Sequence, residues 1–166
     1  MRQLLLIIVV CALCCCHRPQ PQIPSYKSGR AVVADSALLQ ALEVNRHLAE
    51  EADRQLTRFA SAGYAQMESG YWAKGLRDTD SPLQEGETAQ VHVRVLSLDS
   101  TLFEDTRLTV TIGKEQLPEA ATDALRHMTR GGRVQLAVPW YLAFGSTGNN
   151  SVPPYTNVLI ELETEP

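Results

Sequence analysis

A chain of 166 residues, 44% of them apolar, has room for one domain with its own core plus appendages, on a prior of about 100–200 residues per domain. Its net charge of −4, with acids and bases interspersed and no run of Lys or Arg, provides nothing to neutralise a row of phosphates, which excludes nucleic acid as the expected partner. All four cysteines (Cys11, Cys14, Cys15, Cys16) precede residue 17, so neither a disulfide framework nor a zinc ribbon holds the folded part together.

The N-terminus opens on Arg2, continues in the unbroken apolar run Leu4–Val10 and closes in Cys11-Ala12-Leu13-Cys14-Cys15-Cys16. That is the layout of a secretory signal, and it falls short of the roughly 17–25 residues of a membrane-spanning helix. It resembles bacterial lipoprotein signals, which end in Leu, two small residues and a cysteine that takes up a diacylglycerol. Leu13-Cys14-Cys15-Cys16 is the best frame, with Cys16 lipidated; Cys14 and Cys15 stay open, as does an ordinary signal peptide cut near His17. The expectation is an exported protein of the cell envelope, lipid-anchored. Because His17 follows the modified cysteine where an aspartate would favour inner-membrane retention, the outer membrane facing the periplasm is preferred.

Residues 17–34 begin HRPQPQIPSYKSGR, rich in proline and without periodicity, and read as a flexible tether. Asp35 or Ser36 is placed to cap a helix in which Leu38, Leu39, Leu42, Val44, Leu48, Leu56 and Phe59 recur at three- and four-residue spacing. This helix and a lead-in occupy residues 35–83, and its apolar stripe is expected to pack on the following domain, with a dimer seam as the other reading. Beyond Gly63 the period becomes two. Val91/Val93/Val95, Leu108/Val110/Ile112, Val134/Leu136/Val138 and Val158/Ile160/Leu162 each alternate with more polar neighbours. Between the second and third strands lies one helix, with Pro118 in its first turn, Ala121, Ala124, Leu125 and Met128 on one side, and Gly131-Gly132 as its stop. These elements give an α+β class, an antiparallel sheet wrapped on one short helix.

Five segments in order carry a resemblance. They are Gly86-Glu-Thr-Ala-Gln-Val-His-Val; Leu102-Phe103-Glu104; Ile112-Gly113-Lys114; Val138-Pro139-Trp-Tyr-Leu-Ala-Phe144-Gly145; and Val152-Pro153-Pro154 followed by Val158–Glu163. Together residues 84–166 resemble the FKBP-type peptidyl-prolyl isomerases. Ser69-Gly70-Tyr71-Trp72 resembles the lead-in of secreted bacterial members, and the whole chain is similar to macrophage-infectivity-potentiator-like and gliding-motility-type lipoproteins of that family.

The resemblance implies prolyl cis-trans isomerisation on proline-containing protein or peptide clients. The barrier is the resistance of the amide to twisting, about 18–20 kcal/mol. An apolar pocket that desolvates the amide and favours its twisted form lowers that barrier without acid, base, cofactor or metal. By position, the implied pocket is Val93, Phe103, Val110, Leu117, Ala121, Phe144, Val152 and Ile160, with Glu104 as its acidic wall and Pro118 beside it. Phe103, Glu104 and Phe144 take the catalytic positions.

Four of these depart from the family pattern. Ala121 stands where a large floor residue is usual, implying a wider, shallower floor. Phe144 lacks the usual tyrosine hydroxyl, Glu104 is one methylene longer than the usual aspartate, and Pro118 has no N–H to offer a substrate carbonyl. Two hydrogen bonds of about 0.5–1.5 kcal/mol each, with the lost aromatic contact, imply activity lower by about one to three orders of magnitude. Tyr141 is a candidate replacement hydroxyl, and Trp140–Tyr141 read either as a client grip or as packing.

His47, His92 and His127 lack any metal-ligand spacing, and Gly145-Ser-Thr-Gly148 reads as a turn. Two functions follow: a membrane-anchored isomerase assisting the folding of exported proteins, or a non-catalytic chaperone or protein-binding module on the same fold.

Overall fold

The computed structural model describes residues 28–61, 63–76, 81–114 and 117–166. The signal and most of the tether, up to Lys27, lie outside the described residues. The first helix, α1, spans Ser28–Phe59 and runs through Asp35 and Ser36 instead of being capped by them. The tether therefore gives way to helix earlier than residue 35. Past Pro24 no further proline blocks a helix, and Arg30, Ala31 and Ala34 include the best helix formers.

Residues Gln40–Pro166 form one compact unit. Two very short strands, β1 (Ala65–Gln66) and β2 (Trp72–Lys74), are followed by β3 (Thr88–Ser97), β4 (Leu102–Thr111), the helix α2 (Glu119–Leu125), β5 (Arg133–Val138), a 3₁₀ turn (Trp140–Leu142) and β6 (Val158–Thr164). All six strands join one antiparallel sheet in the order β1-β2-β5-β6-β3-β4.

Helix α2 ends at Leu125, before the expected Gly131-Gly132 stop. His127 and Met128 continue it only as tight turns, their N–H groups donating to the carbonyls of Ala124 and Leu125 at 3.0 and 3.2 Å. Such i→i+3 bonds close a helix that cannot extend. Met128 is buried all the same, and its carbonyl accepts from the Leu83 N–H at 2.9 Å.

Register explains the core. Val93 lies opposite Leu162, which lies opposite Val134; Val95 lies opposite Ile160, which lies opposite Leu136. Directly paired residues share a face, so the four alternating strands put their apolar residues on one side, where Ala120, Ala121, Ala124 and Leu125 of α2 complete the layer. Tyr71, in the lead-in to β2, is also fully buried there.

The opposite face holds a second, smaller core. Leu96, Ala137 and Leu159 are buried with Leu56 of α1, and Phe59, Tyr64, Trp72 and Leu98 pack around them. Ala52 and Leu56 of α1 and Ala60 just past its end are buried at four-residue spacing, whereas Leu38, Leu39, Leu42 and Val44 stay exposed. The expected apolar stripe is thus buried only in its second half.

Candidate functional site

Strand β4 does not pair evenly with β3. Glu104 lies opposite Val95 and Leu102 opposite Leu96, so the ladder shifts at Val95/Leu96 and Phe103 is the supernumerary residue. A bulge re-aims a side chain. Here Phe103 packs against the main core although its sequence neighbour Glu104 already faces that side. Phe103 and Glu104, both half-buried, are thereby presented side by side at the rim.

The apolar residues implied at the sequence level converge. Val93, Val110, Ala121, Val152 and Ile160 belong to one buried cluster, and Phe103, Leu117 and Phe144 pack against it. They come from β3, β4, the segment before α2, α2 itself, the 139–157 loop and β6. At the floor, Ala121, Val152 and Ile160 have no exposed surface, so neighbouring side chains cover the small alanine. Leu117, Leu142, Ala143 and Phe144 pack against the cluster that contains it, as close packing of protein interiors requires. Phe103, Leu117 and Phe144 are only partly buried and are the members of this group that reach solvent.

Pro118 is the N-cap of α2, with φ −50° and ψ 149°. Its carbonyl accepts the Thr122 N–H at 3.0 Å, and the Leu117 carbonyl accepts from the Thr122 hydroxyl at 3.2 Å. The proline fixes the entry to the helix and offers no donor to a substrate.

The loop between β5 and β6 is tied down along its length. Gly145 N–H donates to the Trp140 carbonyl at 2.8 Å and Tyr155 N–H to the Gly145 carbonyl at 3.2 Å. Asn149 Oδ1 accepts the N–H groups of Ser151 and Val152 at 2.9 and 2.6 Å. Gly148 has a φ of +66°, and a Cβ there would run into the Val152 carbonyl oxygen, so the turn that delivers Val152 needs glycine.

Trp140 is buried, edge-on to Tyr141 and Tyr155. The Tyr141 hydroxyl donates to Asp53 Oδ1 at 2.6 Å, and burial and the Asp53 carboxylate push its pKa up. That hydroxyl is directed at α1, so Tyr141 does not replace the hydroxyl missing from Phe144 in this arrangement. Among the described residues no group of acidic, histidine or cysteine side chains is arranged to hold a metal ion.

A feature not visible in the sequence lies beside Leu117 and Pro118. A cleft of about 630 Å³ is lined there by Ser69, Tyr71, Asp123, Arg126 and Leu142. Asp123 Oδ2 accepts from the Ser69 and Tyr71 hydroxyls at 2.9 and 3.0 Å, which ties the lead-in segment to α2. No local signal marks this bond, because its partners are 54 and 52 residues apart.

A family model described as FKBP-type peptidyl-prolyl cis-trans isomerase matches residues 79–164, just over half of the chain. Among solved structures, FkpA from Escherichia coli is similar with a TM-score of 0.60 at 16% identity, over 100% of this chain and 81% of that one. The peptidyl-prolyl cis-trans isomerase of Pseudomonas syringae pv. tomato gives 0.57 at 19% identity, over 71% and 94%. The N-terminal domain of FKBP42 from Arabidopsis thaliana gives 0.52 at 23%, over 63% and 91%. No curated protein matches the chain by sequence. At such identities the structural likenesses speak for the fold alone. With the bulged Phe103–Glu104 rim and the converging apolar cluster, the family match makes this chain a member of the FKBP-type peptidyl-prolyl cis-trans isomerases.

Proposed function

We propose that the chain is a lipid-anchored prolyl isomerase of the cell envelope, outer-membrane bound and facing the periplasm, which assists the folding of exported proteins at a reduced rate. The observation that carries the catalytic part is the convergence of Phe103, Leu117 and Phe144 over the cluster of Val93, Val110, Ala121, Val152 and Ile160. An X-Pro segment seated there exchanges water for apolar surface. Its amide loses resonance stabilisation more cheaply in such surroundings, so the twisted form gains relative to both planar isomers. Glu104 stands at the rim as the acidic wall. Phe144 and Pro118 withhold two donors from the substrate carbonyls, which is the reason for the reduced rate.

The anchoring part rests on the apolar run and the cysteines ending at Cys16. A second reading, a non-catalytic client-binding module, draws on the closed floor at Ala121, Val152 and Ile160, since a proline ring then has less depth to enter.

A protease-coupled assay on a short X-Pro peptide separates the two. The isomerase reading expects turnover above background, lowered at least about tenfold by Phe103→Ala, which removes aromatic contact of about 1.4 kcal/mol or more. Turnover absent in wild type favours the binding module, and turnover indifferent to Phe103→Ala removes the proposed pocket. Radiolabelled lipid precursor is expected to mark wild type and spare Cys16→Ala; equal labelling of both discards Cys16 as the anchor.

A further inference from the structure

The second half of α1 does more than cover apolar surface, because it holds the loop that carries two of the pocket residues. Three side-chain bonds cross from the helix to that loop. Asp53 accepts the Tyr141 hydroxyl at 2.6 Å, Asn45 accepts the Tyr155 hydroxyl at 3.2 Å, and Gln55 accepts from Asn157 Nδ2 at 2.7 Å. The last bond is relayed inward, since Asn157 is buried and its Oδ1 accepts the backbone N–H of Trp140 at 3.0 Å. Tyr141 and Tyr155 both meet the Trp140 ring edge-on, with centroids at 5.5 and 4.9 Å. The bonds therefore grip both ends of the segment from Trp140 to Asn157, which contains Phe144 and Val152. Between the helix and the loop remains a cavity of about 260 Å³ lined by Leu48, Gln55, Trp140 and Asn157. The seam is consequently not filled by packing alone, and the hydrogen bonds set its spacing.

We propose that Asp53 and Gln55 are positioning residues: they clasp the 139–157 loop and so hold Phe144 and Val152 in place for the prolyl pocket. The pocket half of this statement rests on the isomerase reading above; the clasp half does not. Without the clasp, the loop gains freedom relative to β6 and the core, and its internal bonds open more often. A proline-bearing client then has to order it on binding, which raises KM more than it lowers kcat.

The test uses the full chain and compares Asp53→Ala/Gln55→Ala with Asp53→Asn/Gln55→Glu, which keeps an acceptor oxygen at each position and the same net charge. Arg46→Ala, on an exposed stretch of the same helix where it pairs with Glu43 and Glu50, is the control for general helix effects. Amide hydrogen exchange is expected to quicken about tenfold at Gly145, Val152 and Tyr155 in the alanine pair, with β5 and β6 amides unchanged. The Asn/Glu pair and Arg46→Ala are expected to exchange as wild type does.

On an X-Pro peptide, kcat/KM is expected to fall about three- to tenfold in the alanine pair, mainly through KM, with recovery in the Asn/Glu pair. Loop exchange unchanged in the alanine pair overturns the clasp. Faster loop exchange with unchanged kcat/KM overturns its role in positioning. Faster loop exchange in a protein whose wild type shows no turnover keeps the clasp and removes the isomerase reading instead.

Discussion

The two faces of the sheet follow the same alternation yet do different work. On the inner face the apolar residues of β3, β5 and β6 form one layer with α2, and the candidate site lies at its rim. The outer face is divided. Under α1 it is a small apolar core around Leu56 and Leu159. Beyond the helix it is a ladder of charges: Arg94 meets Glu161 at 2.7 Å, His92 meets Asp105 at 2.6 Å, Arg133 meets Glu163 at 2.8 Å, and Gln135 Nε2 donates to Glu161 at 3.0 Å. A period of two tells that a strand has two unlike faces; it does not tell whether the wetter one meets water or another element.

Substitutions that sample each region put this contrast under strain, beginning with the inner face. Leu136 has no exposed surface, and Leu136→Ala is expected to cost about 2–5 kcal/mol, read as a fall in the urea midpoint. Leu56, equally buried but in the smaller outer core, is expected to cost about 2 kcal/mol as Leu56→Ala, near the lower limit for such truncations, because a small cluster collapses more readily. Equal losses at the two sites would make the outer cluster as much a core as the inner one.

The charged stretch should respond least. The His92 ring, bonded to Asp105, holds the Asp105 carboxyl below the usual carboxylate range. A depressed pKa adds stability above the ordinary value of about 3.9 and loses it as the pH falls through the folded-state value. Asp105→Asn is therefore expected to leave the urea midpoint at neutral pH nearly unchanged. It should also flatten the acid decline below about pH 4. An unchanged acid profile would detach that decline from this pair.

Much of this architecture was legible from residue patterns. The four long strands announce themselves because Val91/Val93/Val95 and their counterparts alternate without interruption, and Pro118 marks the start of α2. The strands β1 and β2 were not legible, since two and three residues are too few to show a period. The early start of α1 at Ser28 was hidden by the proline-rich stretch before it. Of the candidate site, Phe103, Val110 and Ile160 read on their own as ordinary core residues, and only the resemblance singled them out as pocket candidates. The closed floor could not be read from Ala121, because it depends on what packs against the cluster.

Alternation, helix punctuation and the ordered motifs determined the fold class, the family and the apolar make-up of the site, since these are properties of neighbours in the chain. The tertiary structure decided what Trp140 and Tyr141 do, which half of the α1 stripe is buried, and how the pocket loop is held. The bonds from Asp53, Gln55 and Asn45 join residues 88, 102 and 110 positions apart. Contacts at such separation have no local signature; they exist only once the sheet has brought both partners to its outer end.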